Sequence, residues 1–151
     1  MRKSKGFTLI ELLIVMAVIA ILIAIAIPSF RGMQNEARKT KAQGDLRVLK
    51  VAVESYYKNN ANQYPAETNY QTTLLGASPR ILESSLYDPF GATTSTVYIY
   101  DLSTGDPTTA HYYIMYSVGP SGGGSAAVDN NGTVTVATGD AGAIWESNGH
   151  L

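Results

Sequence analysis

The sequence predicts an α+β protein: a long N-terminal helix, kinked between a membrane-length half and an amphipathic half, packed on a small antiparallel β-sheet. Three observations lead there. From Phe7 to Ile27 the only polar side chains are Thr8 and Glu11, so a helix over this span reaches about 30 Å, the thickness of a bilayer core. Beyond it, Phe30, Met33, Ala37, Ala42, Leu46, Leu49, Val53 and Tyr56 or Tyr57 recur mostly at three- and four-residue steps, which is the period of an amphipathic helix. The C-terminal half then supplies short alternating runs separated by glycine, proline and asparagine, the pattern of strands and turns.

Taken in order, residues 7–28 form the apolar helix and residues 29–60 an amphipathic stem. Pro28 removes a helical donor, so a kink or local break is expected there. Asn59-Asn60-Ala61-Asn62 ends the stem, and residues 61–151 form a β-sheet head. The tract Asn62-Gln63-Tyr64-Pro65 opens an irregular connector that Leu74-Leu75 and Ile81-Leu82 pin to the core. Asp88-Pro89-Phe90-Gly91 reads as a tight turn before the first strand. Thr96 to Asp101 and His111 to Val118 are expected to pair as a hairpin, the second placing Tyr112, Ile114, Tyr116 and Val118 on one face. Thr133 to Ala137 follows Asn131-Gly132, a dipeptide favoured in two-residue hairpins, with Ala126 to Val128 as its partner. The tail from Gly139 to Leu151 holds Ile144-Trp145, expected to dock as an apolar plug.

Glu11 is the anomaly. A carboxylate inside a membrane-length segment costs on the order of 3 kcal/mol, so its presence calls for a partner. Cutting the chain after Gly6 would give Phe7 a new ammonium four residues before Glu11, and the carboxylate would also meet the positive end of the helix dipole. Spacing leaves open whether that ammonium belongs to the same chain or to a neighbour.

The basic leader Met1 to Gly6, the glycine before Phe7, and Phe7-Thr8-Leu9-Ile10-Glu11 opening the apolar helix resemble the prepilin signature of type IV pilins and type II secretion pseudopilins. The resemblance implies removal of residues 1–6 by a prepilin peptidase, N-methylation of Phe7, and pairing of Glu11 with the Phe7 amine of an adjacent subunit. It also implies homo-oligomeric assembly into a helical filament through Phe7, Glu11 and the Pro28 region, with an inner-membrane platform, a cytoplasmic ATPase and minor pseudopilins as partners. The subunit would sit in the bacterial inner membrane with its head in the periplasm, and then in a periplasmic pseudopilus or a surface fibre. An ordinary secretory signal cleaved after Ala24-Ile25-Ala26 fits less well, because the apolar run exceeds the roughly 7 to 15 residues of such signals and Glu11 interrupts it. Basic residues flank the span on both sides, so charge does not orient it; the resemblance places the leader in the cytoplasm.

The chain has 151 residues and no cysteine, room for one anchor and one compact domain without disulfides. Many type IV pilins close a C-terminal loop with a disulfide. The absence of cysteine, together with Asp88-Pro89-Phe90-Gly91 and Gly119-Pro120-Ser121-Gly122, resembles the major, G-type pseudopilin more closely. Residues 31–58 carry seven basic and three acidic side chains, whereas after Lys58 Arg80 stands against eight acids. The acidic head gives no electrostatic support for nucleic-acid binding.

The glycine-rich loop lacks a Gly-Lys-Ser/Thr ending and is no phosphate cradle. In the pseudopilins it resembles, the following loop binds calcium; here the acidic cluster is reduced to Asp129 with Asn130 and Asn131. One carboxylate is a weak start for an ion that takes six to eight oxygens. His111 and His150 are the only histidines and have no zinc or catalytic spacing. Neither a serine elbow nor a paired-carboxylate arrangement appears, so the chain is expected to be a structural subunit and not an enzyme. Asn131-Gly132-Thr133 is a glycosylation sequon in form, better explained as a turn.

Overall fold

The computed structural model describes residues 6–137 and 142–150. Met1–Lys5, which include most of the expected leader, Thr138, and residues 139–141 and 151 of the expected tail lie outside the described residues. The chain forms two compact units, Met1–Ala37 and Arg38–Leu151. Helix α1, Leu9–Asn59, contributes to both and passes through Pro28 without interruption. The break expected at Pro28 does not occur, since a missing N–H removes a single rung from a ladder continued on both sides.

In the first unit the apolar side chains face outward: Phe7, Leu9, Ile10 and the residues following to Met33 are exposed. Burial along α1 begins at Ala42 and takes in Leu46, Leu49, Ala52 and Val53. Phe30 and Met33 thus do not join the buried stripe that their spacing suggests. The second half of α1 contributes to the head's core, and the second compact unit begins at Arg38. The helix stops where Ala61 and Asn62 turn to positive φ and the Asn62 N–H reaches back to the Tyr57 carbonyl.

The connector is more ordered than expected. A 3-10 turn, Glu67–Asn69, leads into the short helix α2, Tyr70–Gly76. Seven residues are too few for a helix to persist unaided. The buried Gln71 side chain anchors it, accepting from the Leu86 N–H at 2.8 Å and donating to the Leu86 carbonyl at 2.9 Å. Leu74 and Leu82 enter the core as expected, with Leu75 and Ile81 packed against it.

Strands β1 (Ile99–Leu102) and β2 (Tyr113–Ser117) form the expected antiparallel hairpin, Leu102 opposite Tyr113. Strands β3 (Ala126–Val128) and β4 (Val134–Val136) pair as expected too. Their connection is not a two-residue turn. Val128 pairs with Val134, because the Asp129 carboxylate draws the N–H groups of Asn131 and Thr133 into a wider loop at 2.9 and 2.8 Å. The largest departure is at the C-terminus: Ile144–Ser147 is strand β5, paired antiparallel to β2 in the order β1-β2-β5. Ile144 and Trp145 complete a sheet where a docked apolar plug was expected.

Strand β2 is the central strand and is buried throughout. The expected alternation holds. Ile114 and Tyr116, with Tyr112 and Trp145, pack on Ala126, Val128 and Val134 of the β3-β4 ribbon, while Tyr113 and Met115 face Leu46, Leu49 and Val53 of α1. The sheet therefore lies between a helix and a ribbon. Hydrogen bonds fasten the helix side: the Tyr98 hydroxyl donates to Asp45 at 2.8 Å, Tyr113 to Glu54 at 3.1 Å, and Lys50 Nζ to the Ser147 carbonyl at 2.8 Å.

This core is rich in tyrosine, with Tyr57, Tyr64, Tyr113, Tyr100 and Tyr70 in ring contact one after another. Burial pushes the Tyr64 and Tyr70 phenols up to about 12 from their ordinary 10.0, and burial also raises Tyr98, Tyr100 and Tyr113. The folded head keeps protons that the unfolded chain releases above about pH 10, so the stabilisation is whole below that pH and declines as pH rises through about 12. In micelles, tyrosinate absorbance and loss of near-ultraviolet circular dichroism are expected to rise together over this window. Titration of all ten tyrosines at their ordinary value in a still-folded head would contradict it.

Candidate assembly and processing site

The segment around Phe7 is built from the start of α1 upward. Gly6, Phe7 and Thr8 precede the helix and are exposed, Phe7 by 85%. The Gly6–Phe7 peptide bond thus lies in non-helical chain, accessible from outside. Among the described residues, no atom beyond the chain neighbours lies within 4 Å of where a Gly6 Cβ would stand.

Thr8 caps the helix. Its N–H and its hydroxyl both donate to Glu11 Oε2, at 2.9 and 2.8 Å, and its Oγ1 accepts from the Glu11 N–H at 3.3 Å. This is the reciprocal arrangement of a Thr-x-x-Glu capping box, which satisfies donors that the first helical turn leaves open. The spacing Thr8-Leu9-Ile10-Glu11 carries that signal, which adds a cap to the ammonium pairing and helix-dipole contact expected of Glu11. Both bonds from Thr8 use the same carboxylate oxygen. Beyond this cap α1 shows only apolar side chains as far as Pro28, and its composition and length suit a membrane crossing.

The other predicted residues lie elsewhere. Pro28 is an interior position of α1. Asp129 sits at the exposed β3-β4 turn, more than a hundred residues away in sequence, its carboxyl held below the usual range by the Thr133 backbone N–H, with further bonds from Asn131 and Gly132. Among the described residues no three His, Asp or Glu side chains gather around a common point. Asp129, already engaged by its own turn, offers one carboxylate toward the roughly six to eight oxygens that a calcium ion takes.

The Asp88 tract does more than turn the chain. Asp88 is 4% exposed. Its Oδ1 accepts from the Ser117 hydroxyl at 2.7 Å and the Phe90 N–H at 2.9 Å, and Oδ2 from the Val118 N–H at 3.1 Å. The Ser117 Oγ in turn accepts from the Gly119 N–H. One carboxylate thereby ties the chain before β1 to the end of β2 and the glycine-rich loop. At Gly119, φ is +70° and a Cβ would overlap the Gly142 carbonyl oxygen, so only glycine lets the two segments approach. The resemblance marked both tracts; the physical link between them is seen only in the fold.

Residues 1–27 match the family model of the prokaryotic N-terminal methylation motif. Among relatives, a fimbrial protein of Pseudomonas aeruginosa is 39% identical over 87 residues, 52% of this chain and 56% of the relative. The type IV major alpha-pilin of Moraxella bovis is 46% identical over 55 residues, 36% of this chain and 35% of that protein. Type II secretion system core protein G of Escherichia coli is 32% identical over 75 residues, 50% of this chain and 51% of that protein. The chain spans about half the length, or less, of these relatives. No solved structure matches. With its long N-terminal helix, small antiparallel sheet and N-terminal methylation motif, the chain is similar to type IV pilins and type II secretion core proteins.

Proposed function

We propose that the chain is a structural subunit of a type II secretion pseudopilus, assembled from the bacterial inner membrane into a helical fibre that drives folded proteins outward. The observation that carries this is the exposure of every large apolar side chain from Phe7 to Ile27, none below 48%. Each contributes roughly 1.5 to 3 kcal/mol when removed from water, so the segment is stable in lipid or against other apolar helices. A fibre of identical subunits supplies the second home, through contacts that repeat without closing.

In this reading prepilin peptidase cuts between Gly6 and Phe7, where the chain is exposed and not yet helical, and Phe7 is N-methylated. Glu11 then pairs with the Phe7 amine of a neighbour. An assembly platform with its ATPase, and minor pseudopilins, act on the subunit; the head stays in the periplasm and the chain itself catalyses nothing. A surface type IV pilus is the alternative, favoured by the higher identity to the fimbrial protein, 39% against 32% for core protein G.

Deleting the gene separates them. Loss of secreted enzymes with surface fibres intact is the expected result; loss of surface fibres with secretion intact would transfer the subunit to a pilus. Mass spectrometry of the mature protein is expected to find a methylated N-terminal Phe7, and a mature chain beginning at Ile27 would remove the fibre reading altogether.

A further inference from the structure

The head carries two apolar patches with oppositely charged rims and no residue in common. On α1, Val48 and Val51 remain 53% and 68% exposed although their helix neighbours Leu46, Leu49 and Ala52 are buried. With Pro79 and Ile81 from the loop after α2 they line an open groove, rimmed by Arg47 and Arg80. Arg80 is the single basic residue after Lys58. The second patch runs along β1, where Val97 is 42% exposed beside Ile99, which is partly buried against the β3-β4 ribbon, with Glu67 and Asp101 at its margin. Tyr87, bridged to Val97 and also 42% exposed, extends it.

Strand β1 is an edge of its sheet, and side chains partly cover it. The Leu102 N–H donates to Glu67 Oε1 at 2.7 Å, and the Tyr98 carbonyl accepts from the Tyr70 hydroxyl at 2.9 Å. Side chains thus occupy two of the outward backbone groups, a common protection of an edge. What β1 offers a partner is side-chain surface: valine and isoleucine flanked by carboxylates.

We infer that the Val48-Val51-Ile81 groove of one subunit receives the Val97-Ile99 edge of a second copy, with Arg47 and Arg80 meeting Glu67 and Asp101. This rests on the filament reading and identifies a head-to-head partner within it. Charge complementarity selects the occupant: the groove, rimmed by Arg47 and Arg80, needs an apolar surface bearing carboxylates, and this chain carries one at Val97, Glu67 and Asp101. Since the two surfaces differ, each subunit uses one toward the copy before it and the other toward the copy after it, a heterologous contact that propagates.

The test uses the full-length chain in cells that assemble it. Arg80→Glu and Asp101→Arg are each expected to lower filament yield about tenfold or more, and the double variant to recover most of it, because reversed charges attract again. Singles that assemble like the parent, or a double no better than its singles, would overturn the pairing. A second measurement guards against misfolded variants. The chain has no cysteine, so Val51→Cys and Val97→Cys introduce the sole thiols. A short bis-maleimide added to filaments is expected to link the double variant into a ladder of dimers, trimers and longer species, leaving either single variant monomeric. Intact filaments without the ladder, a ladder that stops at dimers, or linked Val51→Cys alone would sink this contact and leave the filament reading standing. Failure of the parent chain to form any filament would sink that reading itself.

Discussion

Asp88→Ala is expected to lower the stability of the head by about 3 kcal/mol, because the buried Ser117 Oγ and the partly buried Phe90 N and Val118 N lose their acceptor at about 1 to 3 kcal/mol each. The loss falls where the fold has few substitutes. Asp88 sits beside the bridge that begins the sheet, its own N–H held by the Thr96 carbonyl at 2.8 Å. Ser117 ends β2, the strand to which both β1 and β5 are paired. Releasing the carboxylate therefore loosens the entry to β1 and the exit from β2 together, and frees the glycine-rich loop from its anchor. Asp88→Asn keeps one acceptor oxygen and is expected to lose less. Trp145 is the only tryptophan and lies opposite Tyr116 on β5, so its fluorescence during urea unfolding of the full-length chain in micelles reads this region directly. An alanine variant within about 0.5 kcal/mol of the parent, the range of ordinary surface changes, would show that the carboxylate is dispensable.

How far the sequence revealed this molecule depends on how local each signal is. The helix, the β1-β2 hairpin and the β3-β4 pair were legible because periodicity and neighbouring turns carry them. Strand β5 was not: Ile144-Trp145-Glu146-Ser147 is a short run after a glycine-containing stretch, and what makes it a strand is β2, about thirty residues earlier. Helix α2 was missed because its stability comes from Gln71 bonding to Leu86, and no property of seven residues reveals such a partner. The loop at Asn131-Gly132 shows a strong local signal overruled by one side chain, since Asp129 captures the N–H groups that a tighter turn would leave to the strands. The same limit applies to the candidate site. Gly6, Phe7 and Glu11 stand together in a contiguous motif and were readable at once, whereas Val48, Val51, Val97 and Asp101 become two complementary surfaces only when the fold assembles them.

Thr8 and Glu11 leave two physical accounts of the same carboxylate, and Glu11→Gln separates them. As a helix cap, Glu11 needs only an acceptor for the Thr8 N–H and hydroxyl, and glutamine at this position serves a capping box as well. As an assembly partner it needs charge, because an ammonium in an apolar interior is tolerated only beside a counter-ion. The charge reading gives the sharper expectation. Glu11→Gln should insert into the membrane and be cleaved like the parent, with the helix start intact, yet yield at least about tenfold fewer filaments through loss of the pairing energy. Glu11→Ala removes both roles and should lose filaments to the same degree, with fraying of the first turn in addition. The readouts are filament mass by electron microscopy and mature subunit in the membrane fraction by mass spectrometry. Parent-like filaments from the glutamine variant would assign Glu11 to the cap alone, and the force that orders neighbouring helices would then have to come from the packing of their apolar side chains.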